Sequence, residues 1–319
     1  MDDNVKELRR VIVTGATGLI GVALCRRLRE RGWAPVIFSR DPKAARRRLP
    51  DAAATVAWQP QETGDWARHV DGAAAVVSLA GAPLFGQRWT ARYKQTILDS
   101  RVVGTRGLLH AMAQATVKPR VFVSASAIGY YGWRDDTPLD ESAPPGDDFL
   151  ARVCQAWEAE ARRAEVMGVR TAILRIGIVL DATGGALPLL SLPMRLFVGG
   201  PILPGDQWVS WLHMEDMVET LLLSLEDERA RGPLNIVAPD PRRQRDFSRA
   251  LGQALGRPAW LPIPRLALRV ALGEFADTLI TGQRVVPARL ADLGYRFRFP
   301  TLEGALADLL APQPTRPSA

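Results

Sequence analysis

The run Val11-Ile12-Val13-Thr14 leads directly into Gly15-Ala16-Thr17-Gly18-Leu19-Ile20-Gly21, and an amphipathic pattern follows to about Glu30. Strand, glycine loop and helix in that order describe the first βα turn of a dinucleotide-binding sheet. Gly15 permits a tight turn off the strand, and Gly18 lets backbone approach a pyrophosphate. Gly21 allows close packing of the helix, so that the first amides, from Thr17 through Leu19 and Ile20, face the phosphates. Downstream, short apolar runs near 35–39, 54–58, 74–79, 120–125 and 170–176 alternate with helical patterns near 89–115 and 148–167. That alternation predicts an α/β fold, a Rossmann doubly wound parallel sheet. Pro144-Pro145-Gly146-Asp147-Asp148 places a breaker and an N-cap before the 148–167 helix. A helix near 214–226 and a strand near 233–237 return to the sheet. The expected division is residues 1–181 plus 212–238 for the nucleotide-binding domain. Residues 182–211 and 239–312 then form a smaller C-terminal substrate lobe, and 313–319 a disordered tail.

Composition removes several classes. Net charge is +7, yet only four of the 41 basic residues are lysine and the arginines are scattered. No helix carries a basic stripe with interleaved aromatics, so nucleic acid is not an expected partner. No apolar run is long enough to span a bilayer, no signal-peptide pattern opens the chain, and Cys25 and Cys154 read as reduced, buried thiols. The expectation is a cytoplasmic protein without membrane association. Three histidines and two distant cysteines offer no metal-ligand spacing, and neither a Gly-x-Ser-x-Gly elbow nor a lysine-containing phosphate loop is present.

Where an acidic residue would hold the ribose 2′-hydroxyl of NAD, the second strand ends in Ser39-Arg40. Those side chains suit a 2′-phosphate and predict NADP(H), with Asp41 keeping NAD open. Leu79-Ala80-Gly81 supplies small residues where a parallel strand meets ligand.

With these motifs in place, the chain resembles the extended short-chain dehydrogenase/reductases. Thr14 to Gly21 resembles their loop, and Ser124-Ala125-Ser126-Ala127 the end of their fifth strand. Arg101-Val102-Val103-Gly104-Thr105 is similar to their Asn-Val-x-Gly-Thr helix, and Trp211 to Val218 to their Ile-His-Val-x-Asp-Val segment. More narrowly, Leu79 to Pro83, Arg88-Trp89-Thr90, Ala127 to Gly132, Gly199-Gly200-Pro201, Gln207 to His213 and Gly282 to Pro287 resemble the branch labelled NAD-dependent epimerase family protein. The resemblance runs from about Arg10 to Leu310. It implies NADP(H) binding, a C-terminal domain of unknown function and oxidoreductase or epimerase-like chemistry on a small substrate. It also implies that Arg101, Ser124, Ala125, Arg175, Gly177 and Val179 lie near the cofactor.

The parental Tyr-x-x-x-Lys pair is absent: Leu150 and Cys154 fall where tyrosine and lysine belong. Replacement acids are Tyr130 or Tyr131, with Arg134 a cation that could lower the Tyr130 pKa, and Ser126 could still bond a substrate oxygen. His213 reads as structural. Trp208, Trp211 and Gln283 are expected to wall the substrate pocket. The alternative reading is a regulatory protein that binds NADP(H) without turnover.

Overall fold

A computed structural model of the chain describes residues 9–60 and 64–311, so the expected 313–319 tail lies outside the described residues. The first half alternates as β1 (Arg9–Thr14), α1 (Leu19–Glu30), β2 (Trp33–Ser39), α2 (Pro42–Arg48), β3 (Ala54–Ala57), β4 (Ala75–Ser78), α3 (Ala91–Gln114), β5 (Val121–Ala127), α4 (Phe149–Arg162) and β6 (Arg170–Ile176). With β11 (Gly232–Ile236, reached after the elements given below), these strands form one parallel sheet ordered β11-β6-β5-β4-β1-β2-β3. This is the doubly wound Rossmann arrangement, and its direction reverses between β1 and β4. Crevices at such reversals, beyond the carboxyl ends of the strands, are where open α/β sheets bind ligands.

Both faces of the sheet are covered, which explains the continuous apolar runs. Side chains alternate across each strand. Val11 and Val13, Ala75 and Val77, Val121 and Val123, and Ala172 and Leu174 enter one core. Ile12, Val76, Phe122 and Ile173 enter the other. Helix starts follow side-chain chemistry: Asp148 accepts from the Ala151 amide at 2.8 Å as the cap of α4, and Thr90 caps α3. Helix α2 was not expected, because Pro-Lys-Ala-Ala-Arg-Arg-Arg buries only Ala45 and shows no apolar period.

Beyond β6 come β7 (Ile178–Asp181), β8 (Gly184–Gly185), α5 (Ala186–Arg195), β9 (Trp208–Val209), β10 (Trp211–His213) and α6 (Met214–Glu226). After β11 follow β12 (Arg242–Arg243), α7 (Gln244–Leu255), α8 (Arg265–Leu272), α9 (Ala276–Ile280), α10 (Ala288–Asp292) and α11 (Leu302–Leu310). The later helices do not enclose a core of their own. Leu187 of α5, Phe247 and Leu251 of α7, and Leu302 and Leu306 of α11 join the cluster formed by α1, α6 and the sheet. Among the described residues no helix is long and apolar enough to cross a membrane.

Candidate functional site

The glycine loop closes tightly at the sheet reversal. Gly15 sits at φ +68°, and a Cβ there would lie 2.7 Å from the Leu79 carbonyl carbon, so β4 and the loop touch through backbone. The Gly18 amide donates to the Gly15 carbonyl at 3.0 Å. A Cβ on Gly21 would lie 2.4 Å from the Gly15 oxygen and 2.5 Å from Ala16 Cα. Gly21 therefore serves the packing of α1 against its own loop, and not mainly the helix–sheet contact expected from the motif. Gly18 is the N-cap of α1 and carries no side chain to cap it. The first-turn amides, those of Leu19 and Ile20 among them, are left as donors for an anion. The Leu19 side chain itself packs over Gly184 and Gly185.

Beside this loop an open cleft of about 560 Å³ is lined by Thr17, Ser39, Arg40, Asp41, Ala44, Arg47 and Arg48. Asp41 does not face it as a free acceptor: its Oδ1 accepts from the Ala44 amide at 2.9 Å, capping α2. Ser39 Oγ bridges the Asp41 backbone. Arg40, Arg47 and Arg48 are exposed and, among the described residues, make no ion pair. Arg47 and Arg48 were legible only as part of a basic cluster; folding α2 against the strand end aims them at the same cleft.

On the other side of the reversal, the Ala80 amide donates to Thr14 Oγ1 at 3.3 Å. The Arg101 guanidinium lies against Gly81, where a Cβ would come within 3.0 Å of its central carbon. It donates to the Ala82 and Ile97 carbonyls and sits over the Trp157 ring. Burial lowers its pKa.

Ser124 is fully buried with Ala125 beside it. The end of β5 holds a buried ionic network that sequence reasoning missed. Ser126 Oγ donates to Glu158 Oε1 at 2.8 Å. Glu158 receives Arg175 through two bonds, Nε to Oε1 and Nη2 to Oε2, each 2.9 Å. Arg175 Nη1 donates to the Tyr131 hydroxyl at 3.0 Å, and that hydroxyl donates to Asn235 Oδ1 at 2.6 Å. Arg175 is 2% exposed. Burial works against its charge, but the bonds from Glu158 outweigh it and raise the pKa. The signal for Glu158 was present: it occupies the apolar stripe Ala151, Cys154, Glu158, Ala161 on α4, where a lone carboxylate demands a cation.

These contacts revise the candidates. Tyr131 is completely enclosed and burial pushes its phenol up to about 12 despite the nearby Arg175, so no substrate oxygen reaches it in this conformation. Tyr130 is half-buried, with the Arg175 guanidinium 3.5 Å from its ring centre. Arg134, the cation expected to act on Tyr130, instead binds the Pro144 and Pro145 carbonyls. Arg175 faces Glu158 and not open cleft. Cys154 and Leu150 lie against Gly129, and burial followed by the Glu158 charge raises the Cys154 thiol to about 12. A Gly177 Cβ would lie 2.6 Å from the Ser210 carbonyl, so this glycine admits β10, while Val179 pairs with Leu212 in the β7–β10 ladder.

In the lobe, Trp211 is fully buried with its indole on the Asp240 carbonyl at 2.7 Å, a core position and not a pocket wall. Trp208 stays half-buried between Arg243 and Arg284. Gln283, also half-buried, accepts from Ser210 Oγ through its carbonyl at 2.7 Å. His213 caps α6 by accepting the Glu215 amide at Nδ1, stacks on Phe299 at 3.8 Å and stands 3.3 Å from Asp308 without the angle of a hydrogen bond. Burial lowers its pKa. Among the described residues, no cluster of three or more His, Cys, Asp or Glu could hold a metal ion.

A glycine loop at the reversal of a seven-stranded parallel sheet, followed by a cationic cleft at the second strand, defines a Rossmann nucleotide-binding protein of the dehydrogenase type. The chain belongs to the NAD dependent epimerase/dehydratase family, which it matches over residues 11–237, and residues 263–309 match a domain of unknown function, DUF1731. It is 38% identical over 304 residues to the Epimerase family protein SDR39U1 homolog, chloroplastic, of Arabidopsis thaliana, covering 94% of this chain and 86% of that protein. It is 35% identical to Epimerase family protein YfhF of Bacillus subtilis, covering 96% and 99%. The crystal structure of human epimerase family protein SDR39U1 (isoform 2) with NADPH superposes with a TM-score of 0.83 at 32% identity, covering 94% of this chain and 99% of that one.

Proposed function

We propose that the chain is an NADP(H)-dependent oxidoreductase or epimerase-like enzyme acting on a small substrate between the C-terminal ends of β5 and β7 and the lobe. The carrying observation is the cleft beside the glycine loop, where Arg40, Arg47 and Arg48 have no acidic partner among the described residues and Asp41 is turned into α2. An unpaired carboxylate would favour a ribose hydroxyl; an uncompensated cationic wall favours a 2′-phosphate. The NADPH complex of the human relative supports the same cofactor. The open amides at the start of α1 would hold the diphosphate. Leu79-Ala80-Gly81 and Ser124-Ala125 would border the nicotinamide half. Two buried, unpaired cysteines suit a reducing compartment, and we place the protein in the cytoplasm.

Bound nicotinamide supplies hydride at its C4 atom. The protein supplies the proton and the orientation. Tyr130 is the phenol that remains accessible, and its hydroxyl makes no hydrogen bond among the described residues. Tyr130 would give its proton to the substrate oxygen, and the Arg175 cation over its ring would steady the phenolate left behind. Ser126, whose own proton is held on Glu158, would only accept from the substrate oxygen in its hydroxyl form, so it would position the alcohol and not the carbonyl. Titration calorimetry and stopped-flow absorbance test both halves. Arg40→Ala should weaken NADPH about 10- to 100-fold and leave NADH nearly unchanged. Tyr130→Phe should slow turnover about 10²- to 10⁴-fold. Equal losses for both cofactors would remove the 2′-phosphate site; full turnover without the Tyr130 hydroxyl would remove the acid.

A second reading, a regulator that binds NADP(H) without turnover, draws on Leu150 and Cys154 at the acid–base positions and on the enclosure of Tyr131. It expects tight NADPH binding and no oxidation across a broad panel of carbonyl compounds.

A further inference from the structure

The face made by α5, the segment after it, and α8 is at odds with the rest of the surface. Leu189, Leu192, Leu196, Phe197 and Val198 project from the end of α5, with Leu196 62% exposed. Trp260 is 65% exposed and its indole donates to the Phe197 carbonyl at 3.1 Å, joining the two segments. Leu203 and Ile263 are linked backbone to backbone, which carries the apolar surface on to α8. Helix α8, Arg-Leu-Ala-Leu-Arg-Val-Ala-Leu, buries none of its residues, and Leu266 and Val270 are 74% and 69% exposed. Leaving this many large side chains open on α5, the segment after it and α8 marks an interaction surface.

Charge selects the partner. Residues 182–205 and 247–273 contain no aspartate or glutamate, whereas Arg195, Arg249, Arg257, Arg265 and Arg269 all fall within them. Arg257 lies over the Phe197 ring at 4.7 Å, so a cation is built into the apolar patch itself. The acids that reach this set come from outside it: Asp277 pairs with Arg265 and Arg269, and Asp246 with Arg249. Arg195 and Arg257 make no ion pair among the described residues. A second copy docked by a two-fold axis would bring Arg195 and Arg257 against a face whose own acids, Asp246 and Asp277, are already paired with arginines. An acidic, apolar, planar partner satisfies every feature: arginines at the headgroups, with Trp260, Phe197 and the α8 leucines below them.

We propose that this face docks the protein peripherally on an anionic lipid bilayer. Such docking lies in the interface and is distinct from spanning, and it departs from the expectation of no membrane association.

The test is co-sedimentation of the intact protein with phosphatidylcholine vesicles, with and without about one-third phosphatidylglycerol. The chain should bind the anionic vesicles, release them as salt is raised, and ignore the neutral ones. Leu266→Asp with Val270→Asp, and separately Arg195→Glu with Arg257→Glu, should each lower partitioning at least about tenfold. Both pairs are exposed, and an unchanged melting midpoint shows that each variant is folded. Absence of vesicle binding, equal binding to both vesicle types, or binding unmoved by either pair would overturn the proposal. So would a dimer in light scattering that Leu266→Asp with Val270→Asp disperses while no vesicle is bound, since the face would then belong to a second copy. An acidic protein captured in place of vesicles would overturn it equally.

Discussion

Removing the Glu158 charge should be among the most damaging single changes in the chain. Glu158 meets Arg175 through two bonds of 2.9 Å, and both side chains are enclosed. At an effective dielectric near 20, unit charges about 4 Å apart attract by about 4 kcal/mol. Breaking a buried pair from one side costs ~3–5 kcal/mol, because the remaining charge stays desolvated. Glu158→Gln keeps the shape and an acceptor for Ser126 but leaves the Arg175 guanidinium, 2% exposed, facing only neutral groups. The second partner of Glu158, Arg162, is 41% exposed, so its loss adds only ~0–1 kcal/mol. Urea unfolding should therefore show a loss of ~3–5 kcal/mol for Glu158→Gln and a comparable loss for Arg175→Met. The double variant Glu158→Gln with Arg175→Met should lose at least ~2 kcal/mol less than the sum of the two single losses, since neither charge is then stranded. A loss for Glu158→Gln within about 1 kcal/mol of the native protein, or additive losses, would refute the reasoning.

Two further outcomes follow from the same geometry. Gly21→Ala places a methyl 2.4 Å from the Gly15 oxygen, so the loop must move, and NADPH affinity by calorimetry should fall at least about tenfold while NADH falls equally. His213 has a pKa lowered by burial, so below the unfolded value of about 6.5 the unfolded chain takes up a proton that the folded chain resists. Stability should fall as pH drops from about 7.5 to 5.5 in thermal melts, and His213→Asn, which can still cap α6, should flatten that slope.

Much of the sheet was readable because both of its faces are buried. Val11, Val76, Phe122 and Ile173 sit in unbroken apolar runs, and the glycines announced a loop where backbone must meet backbone. What escaped reading depends on tertiary partners. Helix α2 has no apolar period, because its Arg46, Arg47 and Arg48 face solvent and the cleft, and it is held by one buried alanine and the Asp41 cap. Trp211 and Trp208 looked alike in one motif, yet β10 turns the first into the core while β9 leaves the second between two arginines. Tyr130 and Tyr131 are adjacent in sequence, and only the short helical turn at Ile128–Tyr131 decides which phenol is sealed. Arg175 read as a nicotinamide neighbour because its carboxylate partner is supplied from a separate helix.

The Asn235 side chain has a consequence for motion. Its amide donates to the Leu139 and Val286 carbonyls while its oxygen holds Tyr131, and the Glu141 carboxylate accepts the amides of both Asn235 and Arg289. These bonds stitch the lobe to the last strand of the sheet at its buried centre. A hinge there would have to strip several enclosed polar groups at once, each costing about 1–3 kcal/mol. Rigid-body opening of the lobe is thus a poor route for substrate entry. Admission falls to the outer strap instead, where exposed Phe85 and buried Trp89 meet a half-buried Phe275, and Lys94 meets Glu274. Solvent reaches Phe85 and the Lys94–Glu274 pair, and among the described residues no enclosed polar network ties the strap down. It therefore parts at lower cost, and hydrogen exchange should be faster at the strap than along β11.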